Sequence, residues 1–353
     1  MRKAWTLLVL PVLLAGCETA GYYNQAAKGH LALMASARPI ADWVADPATP
    51  EALRERLLRA QEIRRFAAES LGLPDNGSYT AYADLQRPAA VWNVFATPEL
   101  SLELKTWCYP VLGCAGYRGY FERTDAEAMA AELQAAGYEV NVAAVPAYST
   151  LGWFDDPLLN TFIHAPDVEL ARLVFHELSH QVVYARDDTV FNESFATTVE
   201  REGVRRWLAA HGDDRQRAAW ADYTRRREDF LSLLLAQRRR LGEIFSSGAT
   251  VEDKRAAKAA VFEDLQRQYR QLRNERWNGF AGYDRFFERK LGSAHLAAVG
   301  AYNDWVPAFE VLLAECGGDL PTFYERVRQL GALDKSRRTA EMQRLAPQVA
   351  NAG

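Results

Sequence analysis

The segment His176-Glu-Leu-Ser-His180 constrains the fold more than any other part of the chain. Its two histidines are four residues apart, and this spacing stacks both imidazoles on one face if the backbone is an α-helix. Pro166 disfavours helix before it, Asp167 is a good N-cap, and apolar residues recur at helical spacing from Val168 onward. The sequence therefore predicts a helix over residues 168–185.

The same segment has the residue types of a water-activating metal site. Two neutral imidazoles hold zinc, and Glu177, which points in a different direction from His176, is placed to take a proton from a water on the ion. A solvated helix with two unrelated histidines is the alternative, but the chain has only 6 histidines. We expect His176 and His180 to bind one Zn2+ ion and Glu177 to be the catalytic base.

A catalytic zinc site needs a third protein ligand and one open position. Glu193 is the best donor, because the loop at 186–188 can reverse the chain and a second, antiparallel helix then returns an acid to the metal. Glu200 lies two turns further along the same face, and is either the ligand instead or, as we expect, an acid that orients a histidine ring. Asp187 and Asp188 are alternatives, but their place in the loop suits capping of the next helix better.

The first residues have the pattern of an export signal with a lipid attachment site. Arg2 and Lys3 precede an apolar run too short to cross a bilayer, and small residues followed by Cys17 end it. We expect residues 1–16 to be removed and Cys17 to be lipidated, which holds the chain on a membrane; a signal peptide with a chance cysteine is the alternative. Glu18 is not the aspartate associated with inner-membrane retention, which favours the periplasmic side of the outer membrane.

Composition and pattern predict a predominantly helical α+β protein. Of 353 residues, 49% are hydrophobic and 25% charged, and the formal net charge is −4, so a sizeable core is expected and nothing indicates nucleic-acid binding. We expect a helical segment over 17–77, an α+β unit with an edge strand over 78–166, and a helical region with the metal site over 167–353. The predicted helices cover 18–46, 50–72, 124–136, 221–245 and 254–277, and the predicted strands cover 79–85, 90–95 and 138–144.

The cysteines that remain divide into a pair and a single residue. Cys108 and Cys114 flank turn-forming residues, so in an oxidising periplasm we expect a disulfide between them. Half of a metal site is the alternative, but no second pair of cysteine or histidine residues lies near. We expect Cys316 to be a buried free thiol.

Two further regions are candidates for contact with substrate. The segment before the metal helix has the place of an edge strand that pairs with an extended peptide, with a core strand and turn as the alternative. The hydroxyl of Tyr302, on a predicted helix, is suited to stabilise the oxyanion of peptide hydrolysis, although tyrosine on an apolar stripe is usually a core residue. Tyr148 is the competing donor. The predicted edge-strand residues are Tyr148, Ser149, Thr150, Leu151 and Gly152.

Several blocks of sequence resemble known proteins. HELSH followed by FNESFA resembles the gluzincin metallopeptidases, and the chain after Gly16 resembles a family of bacterial lipoproteins described as zinc aminopeptidases. The resemblance implies a zinc-dependent peptidase with His176, His180 and Glu193 as ligands and Glu177 as base. The blocks are CETAGYYNQAAKGHL, WCYPVLGCAGYRGYF, YSTLGWFDDPLL, HELSHQ, NESFATTVE and AYNDWVPAFEVLL, which lie between residues 17 and 313.

The sequence departs from the better-known gluzincin aminopeptidases in two ways. Only 12 residues separate His180 from Glu193, so the connection must be tight. The acidic motif that binds the amino terminus of a substrate has no counterpart, so the preference for amino-terminal cleavage rests on the resemblance.

These observations predict a zinc-dependent peptidase that acts on peptide substrates at the cell envelope. The alternative is a non-catalytic envelope lipoprotein, a scaffold or binding module, with a structural metal site. Such a site usually has four protein ligands and does not need Glu177. A hydrolase of another amide would share all of this chemistry.

Overall fold

Helices dominate the chain, which confirms the predicted α+β class. The computed structural model describes residues 6–109 and 113–346, with side chains from residue 21 onward except at 301. The helices are α1 (Thr6–Ser36), α2 (Ile40–Ala45), α3 (Glu51–Leu71), α4 (Arg123–Ala135), α5 (Asn160–Ile163), α6 (Asp167–Ser179), α7 (Thr189–His211), α8 (Asp214–Ser246), α9 (Val251–Gln271), α10 (Asp284–Phe287), α11 (Ser293–Asn303), α12 (Val306–Glu315), α13 (Leu320–Gly331) and α14 (Lys335–Leu345). The strands are β1 (Arg38–Pro39), β2 (Ala81–Ala83), β3 (Val91–Pro98), β4 (Trp107–Tyr109), β5 (Gly113–Ala115), β6 (Arg118–Tyr120), β7 (Tyr138–Val145) and β8 (Leu158–Leu159).

The strands form small separate sheets. β3 is the middle strand of an antiparallel sheet with the order β6-β3-β7, while β1, β2 and β8 form a second sheet and β4 and β5 a hairpin. Helix α4 covers the first sheet, and its Leu133 is buried there with Trp92 and Val94. Gly137 has a left-handed backbone (φ 86°), which glycine adopts without strain, and it turns the chain from α4 into β7.

The main core lies around α6 and α7. It draws fully buried side chains from each of the three predicted segments, including Ile63 of α3, Leu158 of β8 and Phe195 of α7. Gly203 of α7 packs so closely against α6 that an added Cβ would lie 2.7 Å from the ring of Phe175. The two helices that carry the predicted metal ligands His176 and Glu193 are therefore held at short range inside the core.

Helices α8 and α9 form the predicted antiparallel hairpin and enclose a second core. Leu234 and Leu241 of α8 are buried there with Val261 and Leu265 of α9. The second helix ends earlier than predicted, because the chain widens after Gln271 into a short π-helix, Leu272–Arg276.

A partly buried ion pair connects this hairpin to the sheet. Lys258 of α9 bonds to the carboxylate of Glu139 on β7, whose other oxygen accepts the backbone N–H of Ser293 at the start of α11 (2.6 Å). An acid at a helix N-terminus is favoured by the helix dipole. Glu139 thus fixes the position of α11 against the sheet.

The prediction of one helix over 18–46 is wrong, because α1 ends at Ser36. Pro39 has no backbone N–H for a continuing helix, and the short strand Arg38–Pro39 pairs with β2 before α2 begins. The side chain of Cys17 and residues 1–5 lie outside the described part of the chain, so lipidation stays a prediction. Within the described ranges, no helix has both the length and the apolarity needed to cross a membrane.

Asp167 is the first residue of α6, and Pro166 occupies the N-cap position predicted for it. The carboxylate of Asp167 does not cap the helix, because it pairs with Arg56 and Arg59 of α3. This contact joins α3 to the start of α6.

The disulfide between Cys108 and Cys114 is confirmed, and it joins opposed residues of β4 and β5. Cys316 is a free thiol, as predicted, but it is half-exposed rather than buried. The reason is its position at the C-terminal end of α12, where Gly317 and Gly318 turn the chain with left-handed backbones (φ 64° and 76°).

Candidate metal centre

Helix α6 is shorter than predicted but still carries the two histidines. The prediction of helix over 168–185 is wrong at its C-terminal end. The Ser179 hydroxyl donates to the carbonyl of His176 (2.6 Å), and the backbone N–H of Gln181 donates to the carbonyl three residues before it (3.1 Å). Both bonds tighten the last turn and end the helix. His180 directly follows the helix. Its backbone is still near-helical (φ −62°, ψ −21°), so it continues the turn that carries His176.

Residues 180–188 form the ligand loop between α6 and α7, and one side chain holds it short. The Oδ1 of Asn192 accepts the backbone N–H of Ala185 (2.7 Å), and its Nδ2 donates to the Ala185 carbonyl (2.8 Å). Both groups are buried, so these bonds replace the water that the loop backbone would otherwise need. Asp188 accepts the backbone N–H of Phe191 (3.2 Å) and caps α7, as predicted.

Three side chains from α6, the ligand loop and α7 converge. Oε2 of Glu193 lies 3.3 Å from Nε2 of His176 and 3.7 Å from Nε2 of His180. One donor atom of each residue lies within 4.8 Å of the others. We call these three residues the donor cluster. They are the three that the sequence predicts as ligands, and one metal ion is able to reach all of them.

Glu200 stands behind the donor cluster rather than in it. Its Oε2 accepts from Nδ1 of His176 (2.9 Å) and from Nη1 of Arg172 (2.9 Å). Burial raises the pKa of Glu200, but Arg172, His176 and Arg227 together lower it to about 2. The charged carboxylate holds a proton on Nδ1 of His176 and leaves Nε2 directed at Glu193. This is the position from which Glu200 would orient the His176 ring, and that role stays a prediction.

Glu177 lies beside the donor cluster in a partly buried position. Burial raises its pKa to about 7; the charge of His176 lowers the pKa, and the charges of Glu193 and Asp156 raise it. A carboxylate with a pKa near neutrality is suited to accept and return a proton. A cation in the donor cluster would lower this pKa.

A group of phenols surrounds the two carboxylates of the site. Burial raises the pKa of Tyr302, and the nearby charges of Glu193 and Glu177 raise it further. The same two charges act on Tyr117, and Glu177 acts on Tyr79, which is 2% exposed. The predicted Tyr302 therefore lies near the candidate base and the third donor, with its hydroxyl protonated.

The disulfide hairpin, β4 with β5, touches the ligand loop. The backbone N–H of Cys114 donates to Oδ1 of Asp187 (2.5 Å), and Gly113 packs against the same carboxylate. Asp187 is thus a contact for the hairpin and lies outside the donor cluster. Two residues beyond β5 the chain reaches Tyr117, so the hairpin brings this phenol toward the site.

The site lies within a stretch of chain that a family model matches. The family described as "Putative aminopeptidase" matches residues 21–342, which include the donor cluster and Glu177. The chain belongs to this family. No curated protein and no solved structure gives a match.

In this member of the aminopeptidase family, the predicted edge strand is a loop. The chain turns because Thr150 donates its backbone N–H and its hydroxyl to Asp156 (2.8 and 2.9 Å). Leu151 and Gly152 have left-handed backbones (φ 57° and 82°), which are incompatible with a strand. The strand assignment is therefore wrong for Tyr148, Ser149, Thr150, Leu151 and Gly152, and a role of this loop in substrate contact stays a prediction.

Tyr148 is directed toward α1. Its hydroxyl lies 3.3 Å from Nδ1 of His30, and its ring contacts Phe121 (5.2 Å between centroids). Of the two phenols predicted as oxyanion donors, Tyr302 is the one whose pKa responds to the carboxylates of the site.

Two residues that support the donor cluster in this aminopeptidase family member were not predicted from the sequence. Arg172 lies four residues before His176, and the helical spacing that relates the two histidines also predicts Arg172 on this side of α6. Asn192 directly precedes Glu193, but its bonds to the ligand loop depend on where the loop folds and leave no local signal.

Proposed function

We propose that the protein is a zinc-dependent peptidase, and an aminopeptidase by its family. The observation that carries the proposal is the donor cluster with Glu177 beside it. Two imidazoles and one carboxylate are a ligand set found in catalytic zinc sites, which keep a fourth position open for water or substrate. Among the described residues, no fourth histidine, cysteine, aspartate or glutamate joins the cluster.

The electrostatics of the donor cluster suit a metal cation. Burial lowers the pKa of His176, but its bonds to Glu193 and Glu200 raise it to about 10, so the site attracts positive charge to Nε2. Burial lowers the pKa of His180 to about 4, which keeps that imidazole neutral and able to bind a metal. With this raised pKa, Nε2 of His176 carries a proton that faces Glu193, and a divalent cation bound by the three donors would take the place of that proton.

The residues divide the chemistry of hydrolysis among them. His176, His180 and Glu193 would hold the zinc ion, which would supply Lewis acidity to the scissile carbonyl and to water. Glu177 takes the proton from the attacking water and delivers it to the leaving amine. Glu200 holds the His176 ring in position, and the hydroxyl of Tyr302 donates to the oxygen on which negative charge develops.

A structural metal site in a scaffold protein is the rival function. Such a site would close with a fourth protein ligand. X-ray absorption of the zinc-loaded protein distinguishes the two: three protein ligands and one oxygen from solvent support the peptidase, and four protein ligands support the scaffold.

Peptide hydrolysis tests the proposal directly. We would screen zinc-loaded protein against peptides with free and with acetylated amino termini. We expect hydrolysis of free peptides, and a fall in kcat of at least about a hundredfold in Glu177→Gln with zinc content retained, because the base is lost and the ligands are not. Glu132→Gln, on the exposed face of α4, is the matched control.

Two results would contradict the proposal. Full activity of Glu177→Gln would exclude the base, and a folded wild-type protein that binds no zinc would exclude the metal. If acetylated peptides were hydrolysed as fast as free ones, the peptidase function would still be supported, but the preference for a free amino terminus would be refuted.

We also propose that the enzyme acts at the bacterial envelope, held through a lipid on Cys17 on the periplasmic side, with the outer membrane favoured. The support is the order of charged, apolar and small residues before Cys17. Expressed in a bacterial host, the protein should partition into the detergent phase, and Cys17→Ser into the aqueous phase. Cys316→Ser should behave as wild type. Aqueous partition of wild-type protein would refute the anchor.

A further inference from the structure

A cleft of about 420 Å³ opens beside α8, outside the donor cluster. Its volume is in the range of small-molecule sites. One wall is α8 and the other is the irregular chain after the π-helix. The side chains that define it are Tyr223, Arg226, Arg227, Phe230, Phe280 and Tyr283. We call it the aromatic cleft.

The walls of the aromatic cleft are apolar and already packed. The rings of Phe230 and Tyr283 stack at 4.1 Å between centroids, nearly parallel. The guanidinium of Arg226 lies 4.3 Å from the centre of the Phe280 ring and is paired with Asp222. These contacts give the aromatic cleft ring surfaces that an apolar group is able to pack against.

Arg227 differs from the neighbouring arginines because its charge is poorly compensated. Arg225 and Arg226 both pair with Asp222. The nearest carboxylate to Arg227 is that of Glu200, at 3.8 Å, and no described residue accepts a hydrogen bond from its guanidinium. The Glu200 oxygen that faces Arg227 is buried and also has no hydrogen-bond partner.

Among the described residues, no carboxylate other than that of Glu200 pairs with Arg227. Glu169, whose charge acts on Tyr223 and Tyr283, pairs through Oε2 with Arg172 (2.9 Å), and its buried Oε1 accepts no hydrogen bond from a described residue. Burial raises the pKa of Tyr283 to about 12, so its hydroxyl remains a hydrogen-bond donor. A guanidinium and a phenol therefore offer donors beside mainly apolar walls, and the two oxygens of a carboxylate match the planar fork of a guanidinium.

We propose that the aromatic cleft binds a small carboxylate with an apolar ring, and that its occupancy strengthens metal binding through Arg227 and Glu200. The coupling rests on the metal centre of the proposed function; the cleft itself does not.

Three side chains connect the aromatic cleft to the donor cluster: Arg227, Glu200 and His176. Nε2 of His176 faces the donor cluster, and Nδ1 faces Glu200, whose other oxygen faces Arg227. A bound carboxylate withdraws Arg227 from Glu200 and adds a negative charge nearby. Both changes make Glu200 a stronger acceptor for His176 and favour a cation beyond it. By linkage, the metal must strengthen binding of the carboxylate by the same factor.

Calorimetry with phenylacetate tests the site, and phenylacetamide is its neutral isostere. We expect saturable binding of phenylacetate to the wild-type protein, and binding at least about tenfold weaker for phenylacetamide and in Arg227→Gln. Arg239→Gln, an exposed arginine of the same helix, is the matched control and should bind as wild type. Phe280→Ala, which removes an exposed ring from the wall of the cleft, should also weaken binding and gives a second variant if Arg227→Gln does not fold.

Zinc affinity, measured by competition with a chromogenic chelator, tests the coupling. Saturating phenylacetate should lower the zinc Kd of the wild-type protein by about fivefold and leave that of Arg227→Gln unchanged. The binding site would be refuted if phenylacetate showed no saturable binding, if phenylacetamide bound equally well, or if both cleft variants bound phenylacetate as the wild type does. The coupling would be refuted if phenylacetate did not change the zinc Kd of the wild-type protein. Any of these results would overturn the proposal. If the protein shows this coupling but hydrolyses no peptide, the binding site in the aromatic cleft is supported and the proposed peptidase function is refuted.

Discussion

The ion pair between Arg338 and Asp188 should be among the most costly contacts to break. Arg338 of α14 is 3% exposed and its Nε donates to Oδ2 of Asp188 (2.8 Å), which is 6% exposed and caps α7. Arg338 also donates to the carbonyls of Gly331 and Leu333 (2.8 and 3.1 Å). The C-terminal helix is thereby joined to the start of the helix that carries Glu193.

Arg338→Met keeps the apolar stem and removes the charge. Asp188 is then a buried carboxylate whose one remaining donor among the described residues is the N–H of Phe191, and two carbonyls lose their bond to Arg338. Removing one member of a buried pair costs about 3–5 kcal/mol, so we expect the free energy of unfolding to fall by about 4 kcal/mol. A loss of this size is a large fraction of the total stability of a domain.

Urea unfolding followed by circular dichroism, with zinc held constant, measures this loss. Arg337→Met is the control, because Arg337 is adjacent in sequence but its pair with Asp334 is exposed (3.3 Å), and such pairs contribute at most about 1 kcal/mol. The double variant Asp188→Asn with Arg338→Met has no uncompensated charge and retains a capping side chain. Its loss in the free energy of unfolding should therefore be about 2 kcal/mol smaller than the sum of the losses in the two single variants. Strictly additive losses, or a loss in Arg338→Met no larger than in the control, would refute the reasoning.

Three further substitutions have expected outcomes. Glu200→Gln should weaken zinc binding by about 10–100-fold in chelator competition, because His176 loses its charged acceptor. Gly203→Ala should lower the free energy of unfolding by about 1–3 kcal/mol, because the new Cβ would lie 2.7 Å from Phe175. Tyr302→Phe should reduce kcat by about a hundredfold with zinc content unchanged, because a donor to the oxyanion is lost.

Each of these has a control in the same chain. Glu202→Gln changes an acid of α7 that pairs with Arg205 and Arg206 instead of a histidine. Gly248→Ala places its Cβ where nothing lies within 4 Å, and Tyr23→Phe removes a hydroxyl from an exposed ring. Zinc affinity equal to wild type in Glu200→Gln would contradict the role of the bond between Glu200 and His176. Stability equal to wild type in Gly203→Ala would contradict the close packing of Gly203 against Phe175. Unchanged kcat in Tyr302→Phe would remove that residue from the mechanism.

Features that depend on local pattern were predictable. The helix predicted over 50–72 is observed as Glu51–Leu71, because Pro50 and Gly72 mark its two ends by their own backbone preferences. The donor cluster was equally predictable: four-residue spacing on a helix brings the histidines together, and a reversing loop returns Glu193 to them.

Features that depend on distant contacts were not predictable. Helix α6 has an apolar pattern that runs beyond Ser179, yet the bonds from Asn192 to Ala185 hold the following chain as a loop. Arg338 is 150 residues from Asp188, so no spacing relates the two. The loop over 148–152 follows from the bonds of Thr150 to Asp156, and two left-handed residues are not visible in composition.

The contact between Cys114 and Asp187 has a consequence for how the protein matures. The hairpin that Cys108 and Cys114 close lies against the loop between the two ligand-bearing helices, so this loop has its full support only after the thiols are oxidised. If the donor cluster binds the proposed metal, thiol oxidation and metal loading would be linked steps of one assembly. A chain kept in a reducing compartment would then hold the proposed metal less firmly, and the proposed activity would arise where oxidants for thiols are present.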